Sequence, residues 1–308
     1  MVKKWILKAV VQKTISFLPF NHHINYFFQK YVTKGVYLSE EYFYDRLGHA
    51  RDHLNAYTRR SNEEYPKICL EIGTGWYPIV PISFFLAGAE RIYSVDISFL
   101  TSKNRLLTTL IMLEACYSKG LLSYYYQVDP ERMDKVKELI ANIKTMTLEE
   151  VLEELHILYL IEDARKLSLK DDSIDLINSN NTFEHIYPKV LIPILKEFKR
   201  IVKKRGGVMS HFIDMSDHFA HFDKTINIYN FLQYSDIEWM SIDNSIQPQN
   251  RLRIYDYKKI YADLNIPINQ ETFRAGDIEE LKSIELDLKF ATHDLKEVAI
   301  SHYHLVSY

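Results

Sequence analysis

Apolar and aromatic positions in residues 1–60 recur at spacings of three and four, with Pro19 and Gly35 as interruptions, and this predicts an N-terminal cap of helices. From Lys67 the pattern changes to short apolar runs, each followed by turn residues and then a helical period. The runs KICLEI (67–72), RIYSVD (91–96), HILYLIED (156–163), SIDLINS (173–179) and GVMSHFI (207–213) are predicted strands. PISFFLAG, residues 102–117, and VLIPILKEFKRIVKKRGG are predicted helices, the last ending in basic residues and a glycine pair. Such alternation predicts an α/β domain with a parallel sheet and helices on both faces. The long gap between the second and third strands predicts a charged helical insertion at about 120–155, its charges solvated. A polar and aromatic segment follows at 214–250, then a helix near 255–263 and apolar runs near 265–274 and 297–307, the last a closing strand.

Composition narrows the class. The chain has 308 residues, 47% of them hydrophobic, enough for one large domain with elaborations. A formal net charge of −3 with mixed signs gives no reason to expect a nucleic-acid partner. Cys69 and Cys116 are the two cysteines, and Cys69 lies in an apolar run, so a reducing, cytoplasmic setting is expected. No apolar stretch reaches the roughly 20 residues of a spanning helix. Lysines 3, 4, 8, 13, 30 and 34 precede the first acid, Glu40, and interrupt the apolar opening WILKAVVQKTISFLPF, which disfavours a signal peptide. A helix packed on the domain as a lid is expected there, with peripheral membrane contact as the second reading. On a helical wheel Lys13 falls on the Trp5, Ile6 and Ala9 side.

The chemistry starts at the end of the first strand, where Glu71 runs into Gly73-Thr74-Gly75. Glycines there let the backbone approach a nucleotide-type cofactor, and Glu71 can hold the loop or an amino group. Asp96 closes the second strand, where a carboxylate can accept ribose hydroxyls. Asp163-Ala164 after the third offers a carboxylate and an N–H to an adenine. Taken in order, LEIGTG, SVDIS, EDARKLSLKDDSIDLINSNNTFEHI and RIVKKRGGVM resemble the class I S-adenosylmethionine-dependent methyltransferases over residues 67–213. The closing EVAISHYHLVSY is similar to their last, antiparallel strand. The resemblance implies a Rossmann-like seven-stranded sheet in the order 3-2-1-4-5-7-6 and S-adenosyl-L-methionine as cofactor. It also implies cofactor contacts from Glu71, Gly73, Thr74, Gly75, Asp96, Ile97, Asp163, Ala164 and Asn180. Within this frame residues 1–60 are the cap and 61–308 the methyltransferase domain, with about 214–260 on the acceptor side. One departure is Trp76-Tyr77-Pro78 after Gly75, which puts aromatic bulk near the methionine end. A nicotinamide dehydrogenase would need a glycine where Pro78 stands, and has no counterpart to Asp163 or to NTFEHI.

Methyl transfer is an in-line displacement that needs alignment, and a base when the acceptor is a hydroxyl. The candidates are His185 in NTFEHI and, from the ionisable run SHFIDMSDHFAHFD, His211, Asp214 and His218; side chains that merely bond their own loop are the alternative for each. No metal is assigned, because spacing alone selects no ligand set. Arg251 and Arg253 are read either as forks for an anionic or polyhydroxylated acceptor or as salt bridges to Asp256 or the sheet. The expected acceptor is an oxygen or nitrogen of a small molecule or glycan. The competing function is a methyltransferase-like binding subunit that serves a partner through the basic N-terminal helices.

Overall fold

The computed structural model describes residues 3–17 and 37–308, so residues 18–36 of the expected cap, with Pro19 and Gly35, lie outside the described residues. A seven-stranded sheet forms the centre, in the order β3-β2-β1-β4-β5-β7-β6. Its strands are β1 (Ile68–Ile72), β2 (Arg91–Asp96), β3 (Ile157–Ile161), β4 (Leu176–Asn180), β5 (Val208–Asp214), β6 (Gln270–Arg274) and β7 (His302–Ser307). β1 pairs in parallel with β2 and β4, β2 with β3, and β4 with β5. β7 runs antiparallel to both β5 and β6. This is the Rossmann-like order implied by the sequence motifs.

The helices in chain order are α1 (Lys4–Ser16), α2 (Glu40–Ser61), α3 (Ile79–Ala87), α4 (Lys103–Ser118), α5 (Pro130–Asn142), α6 (Leu148–Glu154), α7 (Pro188–Ile201), α8 (His218–Phe222), α9 (Asp236–Ile242), α10 (Ile254–Asp263), α11 (Ile278–Lys282), α12 (Leu288–Ala291) and α13 (Leu295–Ala299). Side chains alternate across each strand and divide the core into two apolar layers. On one face Cys69, Ile92, Leu176 and Val208 pack with Phe43, Leu47, Ala50 and Leu54 of α2 and with the buried residues of α3 and α4. On the other, Leu70, Ile72, Ile177, Met209 and Ile213 pack with α7 and α10. α2 is thus part of the main core, held at its start by the Ser39 side chain accepting from the Tyr42 N–H.

Residues 120–155 fold into α5 and α6, whose apolar residues Met133, Val136, Leu139 and Val151 join the first layer while their charges face solvent. A third cluster gathers Trp5 and Ala9 of α1 with Phe219, Tyr229, Phe231, Trp239, Phe290 and Val298. The Trp5 N–H donates to Asp223 (3.0 Å), and Lys13 donates to the carbonyls of Met240 (2.9 Å) and Asp243 (2.6 Å). Lys13 therefore sits on the inward side of α1 by capping carbonyls. The small helices α11 to α13 have no counterpart in the sequence reading. They are too short for a periodic signal, but Asp277, Asp287 and Asp294 each cap one of them.

Candidate active site

The C-terminal ends of β1, β2 and β4 converge on the loop after Glu71. Gly73 and Gly75 both take left-handed backbone (φ +75° and +68°), and a Cβ on Gly73 would lie 2.5 Å from the Thr182 side chain. Gly73 is fixed by conformation and by space, since the next layer of the site touches it. Thr74 is anchored by its hydroxyl on that of Ser94. A cleft of ≈ 1220 Å³ opens beside this loop, and Gly73, Tyr77, Asp96, Ile97, Asp163 and Ala164 are among its walls. A smaller cavity of ≈ 280 Å³ at the inner end has Glu71, Thr74, Gly75 and Asn180 on its floor and walls. The nine cofactor positions expected from the sequence thus fall on two cavities that share Gly73, Tyr77 and Asp96.

Burial raises the Asp96 carboxyl above its ordinary range, against the backbone N–H groups of Ile97, Gly75 and Ser98. The Ile97 N–H lies 2.7 Å from Asp96 Oδ1. Glu71 is 3% exposed, and burial pushes its carboxyl up to about 7, opposed by hydrogen bonding from Thr74, Asn180 and Asn178 and by the Arg46 charge. Asp163 behaves differently. Its carboxylate is forked by the Arg165 guanidinium (2.9 Å from Nε), which holds it down at about 2. It reaches the cleft already paired.

Glu71 heads a chain of buried hydrogen bonds. Asn180 Nδ2 donates to Glu71 Oε1 (2.8 Å), so its Oδ1 is an acceptor and takes the Nε2 proton of His53 (3.1 Å). His53 Nδ1 must then accept from the Ser210 hydroxyl (2.7 Å). Ser210 in turn accepts from His304 Nε2 (2.8 Å). His49 Nδ1 accepts from Arg46 Nη1 (2.8 Å) and lies beside Asn180 Oδ1 (2.9 Å) without donating to it, and its ring stacks on Phe212 at 3.7 Å. Burial, reinforced by Arg46, pulls His49 down to about 2, so both α2 histidines are neutral. Sequence reasoning missed Arg46, His49 and His53. Their signal was a stripe at spacings of three and four on an otherwise apolar helix face, absorbed into the cap.

His304 opens onto a third cavity of ≈ 960 Å³ that also contains Tyr42, Arg46, His49, Asn181 and His185, together with Asp214, His218, His221 and His302. Tyr42, Arg46, Asn181 and His185 line the inner cavity as well, so the two meet there. His185 touches all three cavities. Its Nδ1 lies 2.7 Å from the Pro248 carbonyl, which can only accept. Nδ1 therefore carries the proton and Nε2 the lone pair. Burial and the neighbouring His218 lower this imidazole to about 4. Asp214, largely buried, is opposed by desolvation, yet His218 and His221 carry its carboxylate far below the usual range.

His211 is elsewhere. One residue along β5 from the cavity-facing Phe212, it points to the opposite sheet face, fully buried, stacked on Phe183 at 4.4 Å and 2.9 Å from the Ser179 hydroxyl. Strand parity, invisible in a list of ionisable residues, separates it from Asp214. Arg251 and Arg253 also lie away from the cavities, both buried. Arg251 donates to the Phe231 and Tyr234 carbonyls and pairs with Asp236 rather than Asp256. Arg253 donates to the carbonyls of Met215, Val298 and Ile300. Chain turns between short elements leave carbonyls without ladder partners, and these two guanidinium groups satisfy them.

Residues 112–210 match the family model described as methyltransferase domain. No curated protein matches the chain. Among solved structures, a protein of Pyrococcus horikoshii OT3 is similar at 14% identity, TM-score 0.45, over 87% of this chain and 91% of its own. A Burkholderia thailandensis 1,6-didemethyltoxoflavin N1-methyltransferase is similar at 11% identity, TM-score 0.44, over 85% of this chain and 77% of its own. A Streptomyces coelicolor A3(2) geranyl diphosphate C-methyltransferase is similar at 11% identity, TM-score 0.43, over 84% and 77%.

Proposed function

We propose, taking as premise that the chain is a class I S-adenosylmethionine-dependent methyltransferase by domain match and sheet order, that it methylates an oxygen or nitrogen of a small polar molecule or glycan held in the histidine-lined cavity. The observation that carries this reading is the junction at Tyr42, Arg46, Asn181 and His185, where the inner cofactor cavity opens into the third cavity. Asp96 takes the ribose hydroxyls, Ala164 the adenine edge, Gly73 and Gly75 the backbone approach, and Glu71 the methionine ammonium. The methyl group is thereby directed at the junction. There the carbon–sulfur bond breaks as the new bond to oxygen or nitrogen forms, and the acceptor's proton passes to the free Nε2 of His185. The cavity walls mix aromatic side chains (Tyr42, Phe212, Phe222, Phe273, Tyr303) with many ionisable ones and carry the aliphatic Ile213, which favours a hydroxylated or ring-bearing acceptor over a lipid tail.

In this reading residues 1–60 cap the pocket of a 61–308 catalytic domain, and the segment at about 214–260 forms its acceptor side. Two further expectations have support. Cys69 and Cys116 are both free and buried, as suits a reducing cytoplasm. No helix among the described residues is long and apolar enough to cross a membrane, while α1 exposes Ile6, Leu7 and Val10 beside Lys3 and Lys4, a surface suited to peripheral contact with an anionic bilayer.

Calorimetric titration with adenosylhomocysteine tests the cofactor half. Asp96→Ala is expected to weaken binding roughly 10- to 100-fold, the loss of charge-assisted hydrogen bonds of about 1.5–3 kcal/mol. Transfer of isotopically labelled methyl to a panel of monosaccharides and amines tests the acceptor half. Absence of adenosylhomocysteine binding by the unmodified protein would remove the enzyme reading.

A further inference from the structure

We infer that Asp214, His218 and His221 form a site for a divalent transition-metal ion of the imidazole-binding class, such as zinc, on the wall of the acceptor cavity, with His302 beside it on the other oxygen of the Asp214 carboxylate. Asp214 ends β5, and His302 opens β7 directly across the antiparallel ladder from it. His218 and His221 stand three residues apart on α8, on one helix face. Each imidazole turns its Nε2 to the same carboxylate: 3.6 Å for His218, 3.9 Å for His221 and 3.7 Å for His302. The donor atoms of Asp214, His218 and His221 all lie within 4.8 Å of one another.

These separations are too long for hydrogen bonds. They approach the ~3.4 Å between two donors that each stand about 2.1 Å from a tetrahedral ion. The far sides of these side chains are held by the protein. His218 Nδ1 faces the Gln247 amide (3.5 Å), His302 Nδ1 the Ser301 hydroxyl (3.0 Å), and Asp214 Oδ1 accepts the Ser216 N–H (2.9 Å). Such contacts orient the rings, and ion binding through His218 Nε2 requires the Gln247 amide to turn its oxygen toward Nδ1. A carboxylate with imidazoles suits zinc, iron(II), cobalt or nickel better than magnesium, which prefers oxygen and water. The three ligands come from a strand end and a helix and border open cavity, which leaves a fourth tetrahedral position for an acceptor.

The ion's role rests on the methyltransferase reading. It would bind an acceptor hydroxyl, lower its pKa and steady the oxygen that attacks the methyl carbon. The ion's presence does not depend on that reading.

The test uses the full-length protein, stripped with chelator and titrated with Zn²⁺ by calorimetry, with Co²⁺ absorption as a report of imidazole coordination. One ion per chain is expected, with Mg²⁺ unable to displace it. His221→Ala removes a side chain that is 61% exposed, so folding survives, and His218→Ala is its partner variant. Each is expected to lose more than the roughly 10- to 100-fold in Zn²⁺ affinity that removal of an outer partner costs, with adenosylhomocysteine binding unchanged. Absence of Zn²⁺ binding, or affinity undiminished in the double variant, would overturn the site. Zn²⁺ bound by a protein that does not bind adenosylhomocysteine would uphold the site and remove the methyltransferase reading instead.

Discussion

Glu71 ties the stability of the fold to the cofactor contact proposed for it. Its carboxyl is raised from 4.5 to about 7, chiefly by burial. A group whose folded pKa exceeds its unfolded value stabilises the fold fully below the unfolded pKa, and that contribution disappears as pH rises through the folded one. Between about pH 4.5 and 7 the wild type should therefore lose up to about 3 kcal/mol that Glu71→Gln does not lose. Urea midpoints of the two proteins across this window give the difference. The same ionisation creates the charge that an ammonium needs, so adenosylhomocysteine affinity should rise toward pH 7 and flatten above it in wild type only. Equal pH slopes in both proteins would detach Glu71 from the cofactor.

At the scale of elements, sequence patterns exposed the parallel part of the sheet well and the second half less so. KICLEI, RIYSVD and SIDLINS became β1, β2 and β4 because their aliphatic positions, Leu70, Ile72, Ile92, Val95, Leu176 and Ile177 among them, are buried in the two core layers. β6 is mostly exposed, QETFR on an edge, and its place was legible only as the end of an apolar run. The positions proposed for the cofactor were readable because glycines and strand-end acids sit at fixed points of a local motif. The acceptor side was not, because it is assembled from α2, β5, α8 and β7, whose residues are far apart in the chain. Arg253 illustrates the cost of reading residues without partners. It is fully buried on three carbonyls, and burial lowers it to about 10. Arg253→Met should destabilise the protein by about 3–5 kcal/mol, since the carbonyls are left unsatisfied. An acceptor-binding role predicts the opposite outcome, a raised KM at unchanged stability.

Across the whole molecule, three cavities meet at His185 while a polar chain, His304 to Ser210 to His53 to Asn180 to Glu71, runs beneath them. The walls of the inner and third cavities are thus parts of one hydrogen-bonded layer between α2 and the sheet. α1 closes a different flank, on α8 and α9, which places it next to the acceptor cavity through Lys8.

The pairing of Asp163 with Arg165 bears on which nucleosides the protein can tell apart. A carboxylate committed to a neighbouring guanidinium, about half exposed at the lip of the cleft, contributes little to recognising an exocyclic amine. That leaves the backbone at Ala164 as the proposed reader of the base, and its N–H finds an acceptor in N1 of adenine but meets the N1–H of hypoxanthine, a second donor. The inosyl form of the thioether product should therefore compete at least roughly tenfold less well than the adenosyl form, a gap of about 1.4 kcal/mol. Freeing the carboxylate, as in Arg165→Ala, should widen the gap in favour of adenine. Discrimination at this end of the cleft would then be a property that the chain holds in check by a two-residue contact.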